Sequence, residues 1–257
     1  MNNNAWIIPQ WPCPPHVKSL ISTRQGGVSE GAYASLNMGL HVGDKAENVH
    51  ENRKILEEQA AKMGRVGEDL HILWLEQVHG VTVIGAGIPV QTDLPPVGDA
   101  AFTNKAGIAC AVMTADCLPV LFCNEAGTCV AAAHAGWRGL LAGVLEKTVQ
   151  TMACSGAQLS VYLGPAIGPN TFEVGEEVHK AFIDQDKESS CAFTASAPGK
   201  WLADIYSLAR LRLHKQGIEK IYGGHYCTFE EKSRFFSYRR DGTTGRMVSM
   251  IWMDQKN

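Results

Sequence analysis

Residues 107–138 read GIACAVMTADCLPVLFCNEAGTCVAAAHAGWR. Three apolar runs of strand length, Gly107 to Met113, Leu118 to Cys123 and Cys129 to Ala135, follow one another across short polar breaks. Strands in direct succession do not fit a regular alternation of strand and helix, so the class expected is α+β. From Gly136 the period changes, with Leu141, Val144, Leu145, Thr148 and Met152 at helical spacing. His134 to Arg138 therefore read as a strand-to-helix turn, a place where backbone N–H groups face anions.

Upstream, Val17 to Thr23 reads as a strand that runs into Gln25, Gly26 and Gly27, where backbone can approach a ligand closely. Asp44, with Glu47 three residues later, looks like the capping-box start of a helix carrying Val49, Leu56, Ala60 and Met63 and stopped by Gly64. Ile72 to Leu75 and Val81 to Ile84 are short β-rich runs parted by Glu76, Gln77, Val78, His79 and Gly80. Downstream, Leu159 to Leu163 reads as a strand ending in a rigid loop from Gly164 to Pro169. Val174 to Ile183 and Asp204 to Gln216 read as helices, the second capped by Asp204 and ended by Gly217. Ile218 to Tyr222 and Met247 to Met253 close the chain as strands. Residues 1–16 are Pro-rich and read as irregular. No linker, repeat or low-complexity segment divides the rest, so residues 1–257 are expected to form one domain.

Of the 257 residues 45% are hydrophobic and 19% charged, enough apolar material for a large core. The net charge of −3 leaves no electrostatic footprint for nucleic acid or an anionic membrane, so the partners expected are small molecules. The opening MNNNAWIIPQWP has neither a basic n-region nor a long apolar h-region, and no stretch of about 18 apolar residues follows. A cytoplasmic chain is expected, as a monomer or simple homo-oligomer. Its eight cysteines then read as reduced thiols, several of them small core residues.

His79, Cys117 and His134 each follow a short apolar run and sit beside a glycine or a polar turn. Their wide spacing is no local zinc motif, yet strand ends can converge at one edge of a sheet. Two imidazoles and a thiolate suit Zn²⁺, and three protein ligands leave a fourth position for water or substrate, the arrangement of a catalytic site. Two other readings stand beside this one. The three can be ordinary core or surface residues, or Cys117 can be a nucleophile with His134 as its base.

The strings SLNMGLHVGD (35–44), QVHG (77–80), TADCLPVLF (114–122), AAHAGWRG (132–139), GPAIGP with FEVG (164–175) and FFSYRRDGTTGRM (235–247) closely resemble the bacterial laccase-domain family. That family was first described as multicopper polyphenol oxidases and includes purine nucleoside phosphorylases and peptidoglycan editing factors. The resemblance runs from about Thr23 to Trp252. It implies zinc ligation by His79, Cys117 and His134, and a four-layer α/β/β/α arrangement with mixed sheets. It also implies phosphorolysis of adenosine, inosine, guanosine and 5′-methylthioadenosine, with inorganic phosphate as co-substrate and adenosine deamination at the same site. A multicopper oxidase needs paired His-x-His ligands, which the nine scattered histidines here do not supply.

Phosphorolysis needs a held phosphate. Arg24 with the Gly26–Gly27 turn, and Arg138 at the helix start, are candidates for it. Asn37 is a candidate for recognising ribose hydroxyls or a base edge, and Asp116 for orienting a ligand histidine. Arg239 and Arg240, with Asp241 and Gly242, read as a charged loop able to clamp phosphate or cover substrate. Trp137 and Tyr238 are candidates for stacking on a purine, and Cys227 is a second cysteine of interest. Two rival functions remain open: an amidase using Cys117 to edit a muropeptide precursor, and a binding protein with a structural metal.

Overall fold

The computed structural model describes residues 5–64, 70–85 and 94–255. In chain order its elements are β1 (Trp6–Ile7), β2 (Val17–Ser22), α1 (Ala46–Met63), β3 (His71–Leu73), β4 (Val83–Gly85) and β5 (Ala100–Thr103). There follow β6 (Ile108–Thr114), β7 (Leu118–Asn124), β8 (Val130–Ala135), α2 (Trp137–Ala142), α3 (Val144–Met152) and β9 (Leu159–Leu163). The chain closes with β10 (Glu173–Gly175), α4 (Glu176–Gln185), β11 (Phe193–Ala197), β12 (Lys200–Ala203), α5 (Ile205–Lys215), β13 (Lys220–Gly223), α6 (Tyr238–Asp241) and β14 (Met247–Met253).

The strands form a five-stranded sheet in the order β1-β2-β14-β6-β3 and a six-stranded sheet in the order β13-β9-β7-β8-β5-β4, both mixed. Side-chain alternation stacks them. Met247, Ile251 and Met253 of β14 meet Leu121, Cys123, Val130 and Ala132 between the two sheets. The opposite faces of β14 and β6, with Val248, Met250, Trp252, Ala109 and Ala111, take Leu56 and Ala60 of α1. Beyond the six-stranded sheet, Leu118, Val120, Phe122, Ala131 and Ala133 pack on Leu145 and Val149 of α3 and Leu208 and Leu213 of α5. These are the four layers α/β/β/α. Because both faces are covered, β7 and β14 are buried at every residue, which is why their sequences are continuously apolar rather than alternating.

The connection from β6 to β7, Thr114 to Leu118, crosses from one sheet to the other, and Cys117 lies on it. Met247, at the start of β14, pairs with Thr114, so Arg246 sits at that same end. α5 begins as expected, with the Asp204 carboxylate accepting from the N–H groups of Tyr206 and Ser207.

Several elements depart from the sequence reading. The Pro-rich start contains β1, with Trp6 opposite Ser22; its residues 1–4 lie outside the described residues. α1 begins at Ala46 with Lys45 as its unassisted N-cap, so Asp44 is no capping box. Its carboxylate instead accepts from Ser29 Oγ at 2.6 Å and Asn37 Nδ2 at 2.9 Å, tying the preceding loop together. The helix after Gly136 breaks at Gly143, whose φ of 98° ends α2 and starts α3. Val174 to Ile183 is not helical throughout: Glu173–Gly175 is β10, which pairs with β12, and β12 with β11. β11 is exposed after its first residue and shows no apolar signature. The last short strand starts at Lys220, two residues late, and the charged loop at Arg239 is the single-turn α6. No helix of the described residues is long and apolar enough to cross a membrane.

Candidate metal centre

Strand register builds the site. β7 and β8 pair antiparallel with Leu118 opposite Ala135 and Pro119 opposite His134, so Cys117, one residue before β7, stands beside the end of β8. On the other flank of β8, Ala100 pairs with Ala133, and Asp99, just before β5, accepts the His134 backbone N–H at 2.7 Å. His134 falls on the same face of β8 as Val130 and Ala132, at the end of the layer between the sheets.

Asp99 brings in the third residue. Its fully buried carboxylate accepts the backbone N–H groups of Val78, His79 and Gly80 at 3.2, 2.8 and 2.6 Å, and Nδ1 of His134 at 2.8 Å. Burial would raise its pKa; the bonds from His134, Gly80 and Val78, with the charge of His134, outweigh burial and hold it below the usual range. Gln77 locks the same turn to the end of β6, accepting from Met113 N–H at 2.7 Å and donating to Met113 C=O at 2.8 Å.

With Nδ1 of His134 committed to Asp99, its Nε2 is left for the site. His79 and His134 meet edge to face with ring centroids 4.8 Å apart, and Cys117 Sγ lies 3.7 Å from His79 Nε2. One ligand atom from each of the three falls within 4.8 Å of the others, so the trio can hold a metal ion. Tetrahedral bonds of about 2.0–2.3 Å would set such atoms roughly 3.3–3.8 Å apart, and the Cys117–His79 pair already has that spacing. His134 is buried, Cys117 half-buried and His79 exposed, so the site opens outward on the His79 side.

The electrostatics favour a thiolate. Burial alone would raise the Cys117 thiol, but the charge and hydrogen bond of His134, joined by those of His79, bring it down to about 6. Burial likewise opposes charge on His134, and Cys117 and Asp99 reverse that, raising it to about 9. Two residues here hold left-handed backbone, His79 at φ 61° and Asp116 at φ 95°, conformations that side chains other than glycine rarely adopt. The roof must be glycine: a Cβ at Gly136 would stand 2.9 Å from His79 Cδ2 and 3.0 Å from Cys117 Sγ.

The supporting residues read from the sequence fare differently. Asp116 does not orient a ligand histidine. Its positive φ turns the carboxylate away, onto Thr228 Oγ1 at 2.6 Å and the Arg239 N–H at 2.7 Å, and Asp99 takes the orienting role. Asn37 is fully buried. It donates to Gly39 C=O and Asp44 and accepts from Gly39 and Arg246 N–H, which leaves none of its amide for a ribose. Arg240 is a backbone clamp, donating to Thr228, Phe229 and Phe235 carbonyls and pairing with Asp241. Arg239 donates to the Glu173 carbonyl at 2.7 Å. Arg24 donates to Ala34 and Lys232 carbonyls and lies over Phe236, lining an open recess of about 440 Å³.

Arg138 is exposed and stacked on Trp137, two residues beyond Gly136; Trp137 packs partly against the core. Tyr238 is exposed. Cys227 belongs to another cavity, of about 380 Å³, where its sulfur accepts from Gly168 and Glu230 N–H. Asp99, Gln77 and Arg246 carry no signal in the sequence that marks them as part of the site. Arg246 is half-buried; burial lowers its pKa, and the charges of Cys117 and Asp116 work against that.

A four-layer α/β/β/α domain with a His–Cys–His trio at the strand ends, orientated by a buried aspartate, defines the class of this protein. The family model described as multi-copper polyphenol oxidoreductase laccase matches residues 18–254, and the chain belongs to that family. It is 53% identical over 248 residues to a protein of Escherichia coli named purine nucleoside phosphorylase YfiH, covering 96% of this chain and 98% of that one. A purine nucleoside phosphorylase of Pseudomonas aeruginosa is 49% identical over 253 residues, covering 97% and 99%. Among solved structures, a Neisseria meningitidis protein superposes with a TM-score of 0.92 at 49% identity, covering 98% of this chain and all of that one. YlmD of Geobacillus stearothermophilus gives 0.88 at 33%, covering 99% and 98%.

Proposed function

We propose that the protein is a zinc-dependent purine nucleoside phosphorylase acting on adenosine, inosine, guanosine and 5′-methylthioadenosine, with adenosine deamination at the same site. The observation that carries this reading is the convergence of His79, Cys117 and His134 in a chain that aligns end to end with relatives named purine nucleoside phosphorylase. The donor set fits zinc: one soft thiolate, already favoured over the thiol, and two imidazoles, one with its tautomer set by a carboxylate. Bound there, zinc supplies a Lewis acid able to polarise a purine or lower the pKa of a water.

In phosphorolysis a phosphate oxygen forms a bond to C1′ while the C1′–N bond breaks. The electron pair leaves with the base, which takes up the proton that hydrogen phosphate gives up, and the products are the sugar 1-phosphate and the free base. The chain's own part is to hold the trio rigid. Asp99 keeps the Nδ1 proton of His134 and pins the His79 turn, and Gly136 lets the chain pass over His79 and Cys117 without displacing them. Inosine is expected to release hypoxanthine only when phosphate is supplied. Cys117→Ala or His134→Ala is expected to lower that rate at least a thousandfold, read by the ultraviolet change on base release. Hypoxanthine appearing at the same rate without phosphate would refute the reading.

One observation favours a second reading. Cys117, His134 and Asp99 form a thiolate–imidazolium–carboxylate series, the arrangement of a cysteine amidase able to edit a muropeptide precursor. Alkylation and chelation separate the two readings, since a metal-bound thiolate is quenched and a free one reactive. Faster hydrolysis of a nucleotide-linked muramoyl peptide by the metal-free protein would establish the amidase.

A further inference from the structure

Phosphorolysis requires a seat for phosphate, and Arg24, Arg239 and Arg240 are engaged with backbone carbonyls. Arg246 also binds backbone carbonyls, through Nη1, and what sets it apart is its place beside the Cys117 connection. It stands one residue before β14, whose Met247 pairs with Thr114, so it lies where the chain leaves β6 and turns through Asp116 to Cys117. Its Nη1 donates to the Thr244 and Gly245 carbonyls at 2.9 and 3.0 Å. Among the described residues no carboxylate stands within ion-pair distance of it. The nearby carboxylate, Asp116, is turned to Thr228 and Arg239 N–H.

The surroundings fix Arg246 and add positive charge. Its N–H donates to Asn37 Oδ1 at 2.9 Å, and its carbonyl accepts from Met38 N–H at 3.1 Å. A Cβ at Gly39 would stand 3.0 Å from Arg246 Cγ and 3.4 Å from His41 Cε1, so the two side chains flank the same glycine. Arg53 of α1 approaches from behind, donating through Nε and Nη2 to Met38 C=O and stacked 3.7 Å over Trp74. His41 lies at the surface with its ring partly covered; that partial burial, then the charges of Arg246 and Arg53, hold its pKa below the usual range. The ring is therefore a neutral imidazole with one N–H to donate, in a positive field.

We infer that Arg246 and His41 form an oxyanion subsite that seats inorganic phosphate beside Cys117, with Arg53 reinforcing the positive field. This assignment rests on the phosphorolysis reading above. The guanidinium fork suits two phosphate oxygens and the His41 N–H a third, which leaves the fourth free to bond C1′ as the C1′–N bond breaks.

The test uses the zinc-loaded full chain and two readouts: calorimetric titration with inorganic phosphate in the absence of nucleoside, and the phosphate dependence of inosine cleavage. Arg246→Met is expected to raise the KM for phosphate roughly thirtyfold and weaken calorimetric phosphate binding equally. The KM for inosine should stay within about threefold, and Arg246→Lys should restore part of the loss. Phosphate parameters unchanged in Arg246→Met, or lost in Arg138→Gln instead, overturn the subsite while phosphorolysis stands. Wild-type cleavage of inosine without phosphate overturns the parent reading, and calorimetry then still decides whether phosphate binds through Arg246. If Arg246→Met does not fold, His41→Asp decides, because His41 is exposed and its replacement puts a carboxylate in the subsite. Calorimetric phosphate binding is expected to vanish in that variant, and its retention overturns the proposal.

Discussion

Asp99 decides the site at the level of single residues. One buried carboxylate receives four N–H donors, three from the His79 turn and one from His134, so it links two of the three candidate ligands and sets the tautomer of one. Asp99→Asn keeps the shape but offers an NH₂ where a donor already points, leaving buried N–H groups unpaired at about 1–3 kcal/mol. It is expected to weaken zinc ~10–100-fold, measured by competition with a chromophoric chelator. Asp116→Asn, which perturbs only Thr228 and Arg239, is expected to change zinc affinity less than about threefold while lowering thermal stability. The reverse ranking would show that Asp116 is the orienting carboxylate after all. The sequence favours that wrong choice for a physical reason. Asp116 is beside Cys117 in the chain, and nothing local reveals the φ of 95° that turns it away. Asp99 precedes a four-residue strand too short for a periodic signal, and its partnership with His134 exists only once β5 pairs with β8. His79, Cys117 and His134 were legible because each ends an apolar run beside a glycine or a polar turn and falls within a motif of the family.

At the level of elements, the site exists because three connections end at the same place: the turn before β4, the crossover from β6 to β7, and the turn from β8 into α2. The last of these must pass directly over the trio. Gly136 lets it do so, and Gly139 lets α2 settle on the turn below, where a Cβ would stand 3.0 Å from the Gly80 carbonyl. Gly136 has an ordinary extended φ of −64°, so its requirement is one of space and not of backbone freedom. Gly136→Ala is therefore expected to fold, with an unchanged far-ultraviolet circular dichroism spectrum, and to bind substoichiometric zinc, because its methyl group presses on His79 and Cys117. Full zinc occupancy measured by atomic emission in that variant would remove Gly136 from the site. Elements buried on two sides, such as β6, β7, β8 and β14, were readable from their apolar runs. β11 and β12 were not, since most of their residues face solvent and their pairing with β10 is a tertiary event.

At the scale of the whole molecule, three apolar clusters among the described residues hold the layers together, and none of them includes His79, Cys117 or His134. Fully buried side chains as large as Trp252, Phe122 and Phe182 are fixed by the sheets and helices, each contributing on the order of 3–5 kcal/mol relative to alanine. A metal at the strand ends closes no part of this core. That separates the catalytic reading from the structural one, because a metal that creates a fold leaves an unfolded chain when it is withdrawn. Removing zinc with a chelator is thus expected to abolish phosphorolysis while near- and far-ultraviolet circular dichroism spectra persist, with activity returning when zinc is restored. The thermal midpoint should fall by several degrees only, since a ligand that binds the native state stabilises it by RT ln(1 + [L]/Kd) without building it. Loss of the near-ultraviolet spectrum together with activity would instead make the trio a structural centre. The core would then depend on an ion that its own packing shows no need of.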